Sequence, residues 1–256
     1  MNVVSNLRIN GSIFAQKIIA FGDSVMRGVV TEALDCKSGN LDCKSGATVH
    51  RKIGYKVSEN SFVEICSRWL GIPIENRSRF GSTVLNGMDY VERYFNRIEA
   101  GDIVVLEFGG NDCNFDWKAI SDDPDGSHQP KLPLDRFGEV YNSMIDRVAA
   151  TGAVPVLLSL PELDPTRFFN HVSKGLNRDN IMRWLQGDVY NIANWHEQYN
   201  IEVFKIGASR GVKVIDISSV FLQQRRLGDY LCDDGMHPNE EGHRLIAEAI
   251  MSAVAV

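Results

Sequence analysis

Five short runs of branched aliphatic residues are separated by longer stretches of helical pattern, and this alternation constrains the fold more than any other feature. The runs are residues 17–21, 72–75, 103–108, 154–160 and 212–217. They are rich in Val, Ile and Leu without clean alternation, as strands buried on both faces are. Helical spacing predicts helices over 61–70, 88–98, 134–150, 179–209 and 239–254. In the last, Leu245, Ile246, Ala249 and Ile250 share a face. Glu240 and Glu241 fall in its first turn, where the helix dipole favours negative charge. Strand–helix alternation repeated in this way predicts an α/β chain with a parallel sheet covered by helices on both faces. Right-handed crossovers make it a doubly wound, three-layer α/β/α sandwich.

No Pro/Gly/Ser-rich linker interrupts the 256 residues, so we read a single domain with its core over 17–254. Two segments are excursions from the pattern. Residues 26–56 contain a short duplication, LDCKSG at 34–39 and again at 41–46, too brief for a solenoid and expected as a loop or hairpin expansion. Residues 112–131 are polar and are expected as a loop.

Composition narrows the function classes. No apolar run approaches the roughly 18 residues of a membrane-spanning helix, so no membrane partner is expected. A net charge of −6 without a Lys/Arg block argues against nucleic acid. The five cysteines (Cys36, Cys43, Cys66, Cys113 and Cys232) form no C-x-x-C pair and are expected as free thiols. The N-terminus lacks a basic start followed by an apolar stretch and a cleavage site, which makes the cytoplasm the expected compartment.

In a doubly wound sheet, ligands bind beyond the carboxyl ends of the strands. Gly22-Asp23-Ser24 follows the first run, and Asn76 through Thr83 follow the second. Gly109-Gly110-Asn111-Asp112 follows the third, and Asp233 through Asn239 precede the last helix. One serine, a histidine three residues after an aspartate, and Gly and Asn donors therefore share one edge. A serine hydroxyl needs a base to take its proton, and neutral imidazole suits that task near pH 7. Asp234 lies one turn before His237 and is placed to hold the imidazole's other N–H. The backbone N–H groups of Ser24 and Gly81 and the side-chain amide of Asn111 are candidate donors to an acyl-transfer oxyanion.

These four blocks, in this order, resemble the SGNH hydrolases, also called GDSL-like lipases or acylhydrolases. Gly22-Asp23-Ser24 is similar to the nucleophile block, the stretch ending Phe80-Gly81 to the second, Gly109 through Asp112 to the third, and Asp234 through Pro238 to the Asp-x-x-His block. The resemblance implies a flavodoxin-like fold with a five-stranded parallel sheet. It makes Ser24, Asp234 and His237 catalytic, and Ser24, Gly81 and Asn111 the oxyanion hole. Val25 stands where the motif's name has Leu, and Ser78 where a glycine is expected. The G-x-S-x-G elbow of α/β-hydrolases is absent from the sequence.

Asp23 is expected to cap the turn after the first strand. His50, His128, His171 and His196 follow no ligand spacing and are read as non-catalytic, and His243 as packed on the last helix or solvated. The acidic stretch 122–126 lacks the spacing of a calcium loop. Trp184 and Trp195 read as core packing. Neither a metal nor a cofactor is expected. Arg27, Arg79 and Trp117 lie near the blocks as candidate contacts to a polar substrate, or else as rim residues that pack and pair.

The expected reaction is hydrolysis of a small soluble ester, an acetylated carbohydrate foremost, through an acyl-Ser24 intermediate. No amphipathic lid is legible, which disfavours long-chain lipid. A lysophospholipase or thioesterase using the same residues, and a non-catalytic ligand-binding domain of the same fold, are the alternatives.

Overall fold

The computed structural model describes residues 17–34 and 52–254. Seven strands are present among them: β1 (Ile18–Gly22), β2 (Val29–Leu34), β3 (Lys52–Val57), β4 (Ile74–Asn76), β5 (Ile103–Glu107), β6 (Val154–Leu158) and β7 (Lys213–Ile215). Five of them form a parallel sheet in the order β4-β1-β5-β6-β7. All five expected runs are therefore strands of one sheet, in the flavodoxin-like order. The remaining pair, β2 and β3, is an antiparallel hairpin running from Val29 opposite Val57 to Leu34 opposite Lys52. It realises the expected expansion of 26–56. Most of the LDCKSG duplication, with His50, Cys36 and Cys43, lies outside the described residues.

The helices are α1 (Ser24–Arg27), α2 (Phe62–Leu70), α3 (Val84–Tyr94), α4 (Trp117–Asp122), α5 (Leu134–Ala149), α6 (Pro165–Val172), α7 (Arg178–Trp184), α8 (Tyr190–Arg210), α9 (Ser219–Leu222) and α10 (Glu240–Val254). Along β1, Ile19 and Phe21 face one side and Ile18 and Ala20 the other, the two-residue period of a strand. Ile19 and Phe21 pack under α3, α5 and α8 through Val91, Tyr141, Met144 and Val203. Ile18 and Ala20 pack under α2 and α10 through Phe62, Cys66 and Ile246. A third apolar cluster stands off the sheet: Phe115, just before α4, with Trp117, Phe168, Ile181 and Ile192 from α4, α6, α7 and the start of α8.

Three expectations are corrected. The helix expected over 179–209 is two, α7 and α8, broken where Gln186 (φ 55) and Gly187 (φ 82) take left-handed conformations. Apolar spacing alone passes over so short a break. The helix expected over 88–98 begins earlier, at Val84, because Asn86 accepts from the Thr83 N–H (3.0 Å) and Asp112 from the Val84 N–H (2.9 Å). The polar excursion 112–131 is not all loop. It contains α4, capped where Asp116 accepts from the Ala119 N–H (3.0 Å), with Ile120 fully buried. Among the described residues, no helix is long and apolar enough to cross a membrane.

Candidate active site

In this strand order, the switch point of the winding lies between β1 and β5, where the chains leave the sheet in opposite directions. Ser24 begins α1 directly after β1, so its backbone N–H has no intrahelical acceptor. Asp23 caps that turn as expected, accepting from the Val25 N–H at 2.8 Å. The segment after β4 is tied to the same place: Asn76 donates to the Met26 carbonyl (2.8 Å) and the Arg79 N–H to the Gly22 carbonyl (3.1 Å).

The loop before α10 is built to hold two side chains still. A bridge pairs Leu231 with Pro238, and the Cys232 N–H donates to the His237 carbonyl at 2.8 Å. Gly235 turns it with φ 74. A Cβ there would stand 2.6 Å from the Phe168 nitrogen and 2.7 Å from the Asp164 carbonyl, so no larger residue fits. Within the loop, Asp234 Oδ1 accepts from the N–H groups of Met236 and His237, both at 3.0 Å. Its Oδ2 lies 2.6 Å from His237 Nδ1, and His237 Nε2 lies 2.8 Å from Ser24 Oγ. An ionised carboxylate only accepts, so Nδ1 carries the proton and Nε2 is left to accept from the serine hydroxyl. All three side chains are buried. Burial works to raise the Asp234 pKa, but the His237 contact and the two backbone donors outweigh it and hold the carboxyl below its usual range.

Asn111 donates to Asp23 Oδ2 at 2.9 Å. One N–H of its amide is thereby anchored, which leaves the second to point elsewhere. Gly81 adopts φ 71 with open space around its α-carbon, so its backbone alone is presented. It follows Phe80, whose ring stacks on His237 with centroids 6.0 Å apart and planes 18° apart. Tyr55 of β3 closes the same side, 5.4 Å from the His237 ring, and its hydroxyl meets His171 Nε2 at 3.3 Å. Burial and the nearby Asp234 push the Tyr55 hydroxyl up to about 12.

Beside Ser24 is a cavity of about 40 Å3, walled by Phe115, Trp117, Leu163, Phe168, Ile192 and Trp195. Trp117 is thus a wall of this cavity, fixed by its Nε1–H donating to Asn114 at 2.8 Å. Trp195 packs with Trp184 (centroids 4.7 Å apart) and lines the cavity as well. Arg27 and Arg79 are both exposed and line a different cavity, described below. Cys66, Cys113 and Cys232 are free thiols. Cys113 borders the Ser24 cavity, and Cys232 accepts from the Thr31 N–H at 3.4 Å beneath the Asp234 loop.

The sequence reading missed Glu107, the last residue of β5. It is buried, accepts from the Met26 N–H (3.3 Å) and bonds the Asp23 carboxyl. Burial, with the adjacent Asp23, pushes its pKa well above the ordinary value. Burial raises the Asp23 pKa too, and two carboxyls in one dry pocket share a proton rather than ionise together. Tyr55 and Phe80 were also missed, since neither lies at a position whose residue type signals the chemistry.

A hydroxyl, an imidazole and a carboxylate in hydrogen-bonded series beside an apolar cavity is the constellation of a serine hydrolase. Residues 20–245 match the model of the GDSL-like lipase/acylhydrolase family, and the chain belongs to that family. Over 157 residues it is 27% identical to an uncharacterized esterase, YxiM, of Bacillus subtilis (strain 168), covering 61% of this chain and 35% of the relative. The chain therefore spans about a third of that curated relative's length. Its fold is similar to a lipase/acylhydrolase from Enterococcus faecalis (TM-score 0.59, 18% identity, covering 93% of this chain and 95% of the other). It is similar also to a variant of Axe2, an acetyl-xylooligosaccharide esterase from Geobacillus Stearmophilus (TM-score 0.56, 15% identity, covering 94% and 95%).

Proposed function

We propose that the chain is a serine esterase that removes short acyl groups, acetyl foremost, from small soluble esters such as acetylated carbohydrates. The observation that carries this reading is the series Ser24 Oγ–His237 Nε2 (2.8 Å) and His237 Nδ1–Asp234 Oδ2 (2.6 Å), set beside the 40 Å3 apolar cavity. On this measure one water takes roughly 10–15 Å3, so the cavity accepts only a few non-hydrogen atoms. The acetyl-xylooligosaccharide activity named for the Geobacillus structure is in keeping with a sugar acetate.

His237 takes the Ser24 proton through Nε2 as Oγ attacks the acyl carbon. Asp234, held ionised, steadies the imidazolium that forms. The negative oxygen of the tetrahedral intermediate is met by the N–H groups of Ser24 and Gly81 and by the free N–H of Asn111, whose other N–H is spent on Asp23. His237 returns its proton to the leaving alcohol, which frees acyl-Ser24. Water activated by the same imidazole then releases the acid.

A chain-length series of p-nitrophenyl esters, with fluorophosphonate labelling of the wild type and of Ser24→Ala, tests the reading. Turnover falling beyond acetyl and propionyl, labelling at Ser24, and a loss of kcat on the order of 10⁵–10⁶ in Ser24→Ala are expected. Preference for long chains or thioesters turns the assignment to a lysophospholipase or thioesterase. Absence of labelling turns it to a binding domain.

A further inference from the structure

The segment after β4 carries Arg77 and Arg79, and α1 and α3 bring Arg27 and Arg93 to the same place. With Tyr90 and Tyr94, these four arginines line a second cavity, of about 170 Å3, that shares no wall residue with the one beside Ser24. It nevertheless lies close by. Arg27 is three residues beyond Ser24 on one helical turn, a rise of about 4.5 Å. Arg79 is two residues before Gly81, at most about 7 Å of chain.

Little in the protein answers these charges. Arg77 is ion-paired with Glu75. Arg27 donates one N–H to the Ser78 carbonyl at 3.2 Å. Among the described residues, Arg27, Arg79 and Arg93 form no ion pair. Such a gathering is unusual in a chain whose net charge is −6. The tyrosines act as platforms: Arg77 lies over Tyr94 at 4.3 Å and Arg79 over Tyr90 at 4.8 Å. The platforms are themselves fixed, Tyr94 by Glu75 (3.5 Å) and Tyr90 by Ser82 (3.3 Å). A guanidinium stacked on a ring keeps its N–H edges free for an oxyanion. The guanidiniums of Arg27, Arg79 and Arg93, with what Arg77 leaves unpaired, offer more donors than one carboxylate accepts, but they match a tetrahedral anion well.

We propose that this cavity is an anion subsite, taking a phosphate or sulfate group carried on the alcohol side of the ester. The inference rests on Ser24 being the nucleophile. The apolar cavity then receives the acyl group, and the alcohol is the only part of the substrate left to reach the arginines. Arg27 and Arg79 gain a specific ligand by this reading, with Arg77 and Arg93 added to them.

The test compares kcat/KM for a monosaccharide acetate and its phosphorylated counterpart, and for a monoacylglycerol and the corresponding lysophosphatidic acid. A preference of about tenfold for the phosphorylated member of either pair is expected, lying in KM and shrinking as salt rises. In Arg79→Gln and Arg93→Gln the preference falls by about two- to fivefold each. Preference within the sugar pair assigns the anion to a soluble phosphate, and preference confined to the lipid pair assigns it to a headgroup. Either supports the subsite.

Equal kcat/KM within both pairs overturns it. So does a preference that survives Arg79→Gln/Arg93→Gln in protein with an unchanged melting temperature. Should no ester be turned over and no fluorophosphonate bind, the nucleophile reading fails by itself, and the subsite is judged by calorimetric titration with inorganic phosphate. Binding in the wild type, lost in the double variant, upholds it, and no binding overturns it.

Discussion

The two cavities that flank α1 are opposites in chemistry and in origin. The one beside Ser24 is walled by aromatic and aliphatic side chains from α4, α6 and α8, elements of the cluster that stands off the sheet. The arginine-lined one is made by the end of β4, by α1 and by α3, parts of the sheet framework itself. The difference lies in what each can do with charge. In the first, burial draws the carboxyls into hydrogen-bonded partnerships: Asp23 with Asn111 and Val25, Glu107 with Asp23 and Met26, and Asp234 with His237 nearby. In the second, Arg27, Arg79 and Arg93 are exposed, and solvent screens their repulsion over a Debye length of roughly 8 Å, so they stand without an ion-pair partner. A water-poor cavity strengthens the fields that bond making requires, whereas a wet, charged one gathers substrate.

That contrast can be broken at its apolar side first. Trp117→Ala removes a wall and is expected to cost about 3–5 kcal/mol of stability while moving the preferred p-nitrophenyl ester to a longer chain. Urea denaturation and the chain-length series measure the two effects, and an unmoved optimum would separate the cavity from the acyl group. Asn111→Ala is expected to lower kcat by about 10²–10³, or roughly 3–4 kcal/mol, with little change in KM. Its KM–kcat split distinguishes a transition-state donor from a structural one.

Glu107 sharpens the comparison, because the two substitutions available there are expected to part ways. In Glu107→Gln, the amide donates to Asp23 where the protonated carboxyl did and still accepts from Met26, so stability stays within about 1 kcal/mol of the wild type. In Glu107→Ala, both partners are left unmatched, and the expected loss is about 1–3 kcal/mol. Equal losses in the two variants would show that Glu107 is held ionised.

The smallest effect concerns acid. Burial lowers the pKa of His196, on the wall of the Ser24 cavity, to about 4, and does the same to His243, which stacks on Phe62. As pH falls from 6.5 to 4, the unfolded chain takes up protons that these buried rings refuse, so stability declines through that window and is unaffected by them above it. His196→Gln is expected to flatten this limb in urea midpoints measured against pH.

The sheet was legible because strands buried on both faces must be apolar at every position, as Ile103 through Leu106 are. Ser24, Asn111, Asp234 and His237 were legible because they sit just past strand ends or just before a helix, in short local patterns. The break at Gln186 and Gly187 was not, since two left-handed residues leave no trace in apolar spacing. Neither was α4, whose buried Trp117 and Ile120 are diluted by Lys118, Ser121 and Asp122. Glu107 read as the end of a strand, because its significance depends on Asp23, 84 positions away in the chain.

The sequence by itself determined the parallel sheet, its layers, and the candidate hydroxyl, imidazole and carboxylate, because periodicity and short motifs are local properties of the chain. Tertiary structure alone decided that Asp23 meets both Asn111 and Glu107, that Tyr55 and Phe80 flank His237, and that Arg27 and Arg93 join Arg77 and Arg79 around one cavity. Each of these juxtapositions joins residues from separate elements, and only the packing of those elements brings them within reach of one another.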